Sequence, residues 1–102
     1  MNKILPILAT AGAVLAVAAP ALGAGASVRV ADDVFKSSTV RIHKGQTVTW
    51  RWTGKHPHNV KFHGFASHVQ VNGTFRHRFR KRGTFRYVCS IHSGMRGKVV
   101  VS

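Results

Sequence analysis

The segment Cys89-Ser90-Ile91-His92-Ser93-Gly94-Met95 sets a thiol, an imidazole and a thioether at three-residue steps. These donors are graded in softness. With one more imidazole they make the donor set of copper electron-transfer sites, in which two His and one Cys bind the ion and a Met lies at a long axial distance. The missing imidazole has a candidate upstream in His58, within Lys55-His56-Pro57-His58-Asn59-Val60. His56 competes with it, two residues away and on the same face of an extended segment.

Such a site needs a scaffold that brings two separate segments to one place. Thr39 to His43 alternates, with Val40 and Ile42 on one face, and after the Lys44-Gly45 turn Gln46 to Trp52 alternates again, with Val48, Trp50 and Trp52 sharing a face. In Thr74 to Arg80, Phe75, His77 and Phe79 point one way and Arg76, Arg78 and Arg80 the other. A turn at Lys81-Arg82-Gly83 leads to Thr84–Val88, with Phe85 and Tyr87 inward, and the chain closes on Lys98 to Val101. Val34 to Ser38 and Gly64 to Asn72 read as loops or edge segments. Past the first 26 residues no amphipathic helix is evident. Several short strands with turn signals predict an all-β fold, an antiparallel sandwich or barrel. Loops of non-adjacent strands gather at one end of a sandwich. His58 at the start of a strand 58–62 and Cys89 at the end of a strand 84–88 could then close on one ion.

Residues 1–26 do not belong to that scaffold. Lys3 gives a positive start, Ile4 to Ala19 is apolar, and small residues follow to Ala26, the layout of a secretory signal cleaved after Ala24 or Ala26. Pro6 and Gly12 interrupt the apolar run, which is shorter than the ~20 residues of a membrane span. The expected domain is therefore residues 27–102, exported to a periplasmic or extracellular location, with no membrane span. A domain of that size sits at the small end for folding on its own core. One Cys in the whole chain cannot make an internal disulfide. In an exported chain a lone Cys is a hazard, an intermolecular bridge or a ligand, and a bound metal would both occupy the thiol and tie strands together.

Plainer roles compete. Cys89 could be a buried structural thiol and Met95 core filler. His43, His63 and His68 have no partner spacing and read as surface or strand residues, with His77 packed beside Phe75 and Phe79. A Cys-His hydrolase fits poorly: the spacing lies on one loop, and Asp32 and Asp33 are the only carboxylates available to orient an imidazole. The chain is not expected to be an enzyme.

At this point the residues carry a resemblance. Tyr87 to Val101, with Cys89, His92 and Met95, resembles the copper loop and last strand of the cupredoxins, the type 1 blue copper proteins, and their plastocyanin- and amicyanin-like members in particular. Pro57-His58-Asn59-Val60 resembles their first ligand segment, and Val40 to Trp52 the preceding hairpin. The resemblance covers roughly residues 28–101. It implies a small Greek-key β-sandwich holding one copper ion through His58, Cys89, His92 and Met95. It further implies that Asn59 ties the first ligand strand to the Cys89-Ser90 loop, and that the His92 ring edge meets solvent and partner. Amicyanin-like loops carry Pro where Ile91 and Ser93 stand, so this loop is less pre-organised.

The charge is extreme, Lys+Arg 16 against Asp+Glu 2, a formal +14. Such a surface seeks polyanions, acidic protein faces or anionic lipid, with strongly salt-dependent rates. Arg76, Arg78, Arg80, Lys81, Arg82 and Arg86 are either a solvated face or a docking surface for an acidic partner. Three functions compete: a monomeric electron carrier between extracytoplasmic redox proteins, a copper storage or delivery protein, and a cationic polyanion-binding module without redox role. The first is the expectation. Nucleic acid is not an expected specific partner, because alternation puts the Phe of 74–87 opposite the arginines, where they form no stacking platform.

Overall fold

A computed structural model describes residues 25–102. All but the last two residues of the expected signal lie outside the described residues. The elements are β1 (Ala26–Ala31), β2 (Val34–Lys36), β3 (Thr39–Ile42), β4 (Thr47–Trp52), β5 (Lys61–Phe62), β6 (Phe65–Ala66), β7 (Thr74–Arg78), β8 (Gly83–Val88) and β9 (Arg96–Val101). They form two sheets, ordered β2-β1-β4-β7 and β3-β9-β8-β5-β6. No helix of the described residues is long and apolar enough to cross a membrane.

The alternating strands bury what their pattern predicts. Val40 and Ile42 of β3, Val48, Trp50 and Trp52 of β4, and Val99 and Val101 of β9 face one core between the sheets. Trp50 is its centre, fully buried, with Tyr87 and Phe62 meeting it edge-on at 5.4 and 5.6 Å between ring centroids. His77 stacks on Phe65 at 3.9 Å and meets Phe79 edge-on at 4.8 Å. Its packing partners are therefore Phe79, as expected, and Phe65. Burial holds the His77 pKa below the ordinary imidazole value.

The sandwich is mixed rather than wholly antiparallel: β1 runs parallel to β4, and β3 parallel to β9. A parallel pair needs a crossover of a dozen residues or more. Residues 32–46 provide one, passing through β2 and then over to the other sheet as β3. The segments 34–38 and 64–72 do hold edge strands, β2 and β6. The strand expected at 58–62 begins only at Lys61. His58 instead makes an isolated two-bond bridge to Gln70, because the chain folds back at Gly64 and lays 67–70 beside 58–60.

Register fixes the two ends of the molecule. Lys61 pairs with Val88, so His58 lies past the end of β8 beside Cys89. Val30 pairs with Trp52, so the β1–β2 turn at Asp32-Asp33 reaches the same pole. The turns β3–β4 and β7–β8 lie at the other.

Candidate metal centre

Cys89 leaves the end of β8 and Arg96 starts β9, so 89–95 is the connection that caps this pole. The Cys89 amide donates to the Met95 carbonyl (2.9 Å) and the Met95 amide to the His92 carbonyl (3.2 Å), which folds the segment into a closed loop. Gly94, at φ 83°, supplies the left-handed turn before Met95. The loop buries Cys89 and Met95, each 4% exposed, and leaves the His92 side chain 32% exposed.

His58 comes from the other segment and is fully buried. Its carbonyl accepts from the indole Nε1–H of Trp52 (3.1 Å), so the central strand of one sheet fixes the residue's position. Asn59 beside it, 6% exposed, accepts at Oδ1 from the Ser90 amide (2.8 Å) and hydroxyl (3.2 Å). The two segments are thus stapled directly behind the thiol.

The resulting geometry is compact. Cys89 Sγ lies 3.8 Å from His58 Nδ1 and 3.7 Å from His92 Nδ1, and the two Nδ1 atoms are 3.0 Å apart. All three donor atoms fall within 4.8 Å of one another. His56, the rival imidazole, is outside this cluster: its side chain is 57% exposed and its Nδ1 faces the carboxylates of Asp32 (3.8 Å) and Asp33 (3.5 Å). His43, His63 and His68 are exposed elsewhere.

Two further residues belong to the site and were not singled out from the sequence. Asp32 accepts from the amides of Lys55 (2.7 Å) and His56 (2.8 Å), pinning the approach to His58. The His56 and Lys55 amides hold its carboxyl below the usual carboxylate range. Asp33, in the left-handed conformation at φ 63°, turns its carboxylate to within 3.3 Å of His92 Nε2. Its amide lies 3.3 Å from His58 Nε2. A signal was there to read: a chain of charge +14 has two carboxylates, and they are adjacent.

The electrostatics agree with a cation at this point. Burial, and then the neighbouring His92, hold the His58 pKa below its ordinary value, so a neutral imidazole with an available lone pair is favoured. A cation bound by both Nδ1 atoms requires the protons on Nε2, where Asp33 Oδ1 waits 3.3 Å from His92 and 3.9 Å from His58. In the opposite tautomer of His58, the Asp33 amide donates to Nε2 and Nδ1–H points at His92. One soft sulfur, two nitrogens and a buried thioether residue on the same loop suit copper rather than a hard cation. An Asp-His-Cys array is also present, contrary to the scarcity of carboxylates argued above. It does not present a free nucleophile, because the thiol is buried between two imidazoles.

The six cations considered for docking do not form one surface. Arg76 and Arg78 lie on the outer face of the first sheet, where they register with Thr49 and Thr47. Arg86 lies on the outer face of the other, opposite Lys98. Arg80, Lys81 and Arg82 occupy the β7–β8 turn at the far pole.

The Asn59 staple has a measurable consequence. Asn59→Ala leaves the Ser90 amide without its acceptor, a loss of about 1–3 kcal/mol. The copper-free protein should melt several degrees lower; an unchanged midpoint would mean the staple carries no load.

The sequence matches the family model described as a cupredoxin-like domain over residues 5–101. It is 38% identical to amicyanin-alpha of Methylorubrum extorquens, over 92% of both chains. It is 32% identical to the chloroplastic plastocyanin of Tetradesmus obliquus, over 92% of this chain and 76% of that one. Among solved structures, the reduced form of an amicyanin variant superposes with a TM-score of 0.72 at 29% identity, over 85% of this chain and 89% of the other.

Proposed function

Since the chain belongs to the cupredoxin-like family, we propose that His58, Cys89 and His92 hold one type 1 copper ion, with Met95 as the weak axial ligand, and that the protein carries single electrons between redox partner proteins. The observation that carries this reading is the convergence of Sγ and two Nδ1 atoms from separate segments within 4.8 Å. Amicyanin, which the chain resembles in sequence and fold, is described in both oxidised and reduced Cu(I) forms. When bound, the ion supplies a one-electron couple and an intense thiolate-to-copper absorption.

The chain's residues do the rest. Asn59 and the Trp52 indole fix the ligand segments, so little rearrangement accompanies a change of charge. Burial of Cys89 and Met95 keeps water from the sulfurs. His92 leaves a ring edge in solvent beside Ile91, itself 48% exposed, and this edge is the exit for the electron. No residue acts as acid, base or nucleophile, and the protein is not an enzyme.

Residues 1–26 serve as a cleaved signal, and the mature protein works outside the cytoplasm as a monomer. Its partners present acidic surfaces. Of the cations weighed for docking, Arg86, with its neighbours Lys98 and Arg96, stands nearest the metal pole. Arg76 and Arg78 flank the other sheet.

Copper-loaded mature protein should be intensely blue and show a reversible one-electron potential. Copper storage or delivery with the same ligands predicts weak, reversible binding and no such potential. Met95→Leu removes the thioether that favours the oxidised state. It should keep the colour and raise the potential by on the order of 59 mV, a tenfold shift in the oxidation equilibrium.

Asp33→Asn is a milder test of the carboxylate. Asn also tolerates the left-handed turn, but it takes a negative charge away from the His92 imidazole. The potential should rise by about 30 mV, a threefold shift. A fall, by voltammetry at fixed pH, would contradict the placement of Asp33.

A further inference from the structure

The end of the sandwich opposite the metal centre is built from two turns locked side by side. The Gly45 amide donates to the Phe79 carbonyl (2.7 Å), the Phe79 amide to Gln46 (2.9 Å), and Arg78 Nε to the Gly45 carbonyl (2.8 Å). The joined turns present Lys44, Arg78, Arg80, Lys81 and Arg82, all exposed. None has a carboxylate partner among the described residues. Both acidic residues stand at the other pole, a six-residue strand or about 20 Å away. Beside the turns opens a cavity of about 300 Å³ lined by Phe65, His77, Phe79 and Phe85, with Arg78, Arg80 and Lys81 on its wall.

This charge distribution does not serve electron exchange. An acidic redox partner drawn to the far turns would sit the length of the sandwich from His92, where tunnelling is slow. The combination of clustered cations with an apolar aromatic recess fits a different surface, one that offers anionic headgroups and hydrocarbon together.

We propose that this pole binds an anionic phospholipid surface, through Lys44, Arg78, Arg80, Lys81 and Arg82 with the Phe79-floored cavity receiving an apolar lipid segment, and so holds the metal pole outward toward its partners. The proposal rests on the extracytoplasmic reading above, which places such a surface within reach. It does not depend on copper.

The test is sedimentation of the mature protein, copper-free and copper-loaded, with vesicles of mixed phosphatidylglycerol and phosphatidylcholine. Each cation near an anionic surface contributes about fivefold to partitioning, so Arg80→Gln/Lys81→Gln/Arg82→Gln should weaken binding on the order of 100-fold. The control removes the same charge from the outer face of the first sheet, as Arg29→Gln/Lys36→Gln/Arg51→Gln; these three neighbour one another across β2, β1 and β4. It should weaken binding less than about tenfold, in keeping with the short Debye length. Equal losses from both triples would overturn the proposal, since net charge alone would then account for binding. So would binding to heparin or DNA with none to the vesicles at the same ionic strength. A protein that binds vesicles through the turn yet never turns blue retains this inference and loses the electron-carrier reading.

Discussion

Cys89→Ser abolishes the intense visible absorption of the copper-loaded protein and most of its copper-dependent stability. The absorption belongs to sulfur: a serine hydroxyl does not ionise near neutral pH, and its oxygen lone pairs lie too low in energy to replace the high-lying filled orbital of the thiolate. Affinity falls with it, because two imidazoles and a weak thioether remain, with a neutral oxygen where a soft anion stood. Copper at a hundred times its Kd stabilises a one-site protein by about 2.7 kcal/mol. In a domain this small that is a rise in melting temperature of about 10–20 °C. The wild type should show the rise on adding copper and Cys89→Ser almost none. The copper-free variant should melt near the copper-free wild type, since Ser fits the space of Cys89 and can bond the neighbouring Nδ1 atoms. An intense band surviving the substitution would refute the assignment of the thiolate.

Much of this site could be read from the chain because its donors are chemically unusual and closely spaced. Cys89, His92 and Met95 lie within one connection, and the alternating pattern of β8 pointed to the strand that ends at Cys89, whereas the strand expected to start at His58 begins only at Lys61. The Asn59–Ser90 staple followed from the resemblance, and the geometry contains it. Less legible were contacts that depend on register. Strand β1 carries only the short alternation of Val28 and Val30, and its parallel pairing with β4 follows from a crossover that local periodicity does not encode. Asp33 reaches His92 only because that pairing carries the β1–β2 turn to the metal pole. The arginines of 76–86 look like one cluster along the chain, yet alternation and a sheet change distribute them over two faces and one end. Cation density along a sequence is a poor guide to a surface when the strands alternate.

Gly97→Ala should be among the most damaging single changes available, and nothing in the sequence marks it. Gly97 lies opposite Tyr87 in the β8–β9 pair, on the same inward face as Val99 and Val101. A Cβ there would stand 2.5 Å from the Tyr87 ring and hydroxyl, and 3.0 Å from the Ser38 carbonyl. The carbonyl is backbone and accepts from the Lys98 amide, so it cannot retreat without losing that bond. The ring is 1% exposed and wedged between Phe35 at 4.8 Å and Phe62 at 4.9 Å, so it has no free rotamer to enter. Overpacking of this kind costs about 1–3 kcal/mol and sometimes more; with both neighbours fixed, about 3 kcal/mol is expected. A domain of this length has a total stability of roughly 4–12 kcal/mol. Tyr87 is two residues before Cys89, so its displacement should also disturb the loop that holds the ligands and shift the absorption band of the copper form. Chemical denaturation of Gly97→Ala, Tyr87→Leu and the double variant separates the causes. Relief of the clash makes the double variant more stable than the sum of the two losses predicts, a coupling of at least about 1 kcal/mol. Strict additivity would mean that Gly97 matters for its backbone alone, and that the space beside Tyr87 plays no part in holding the copper loop.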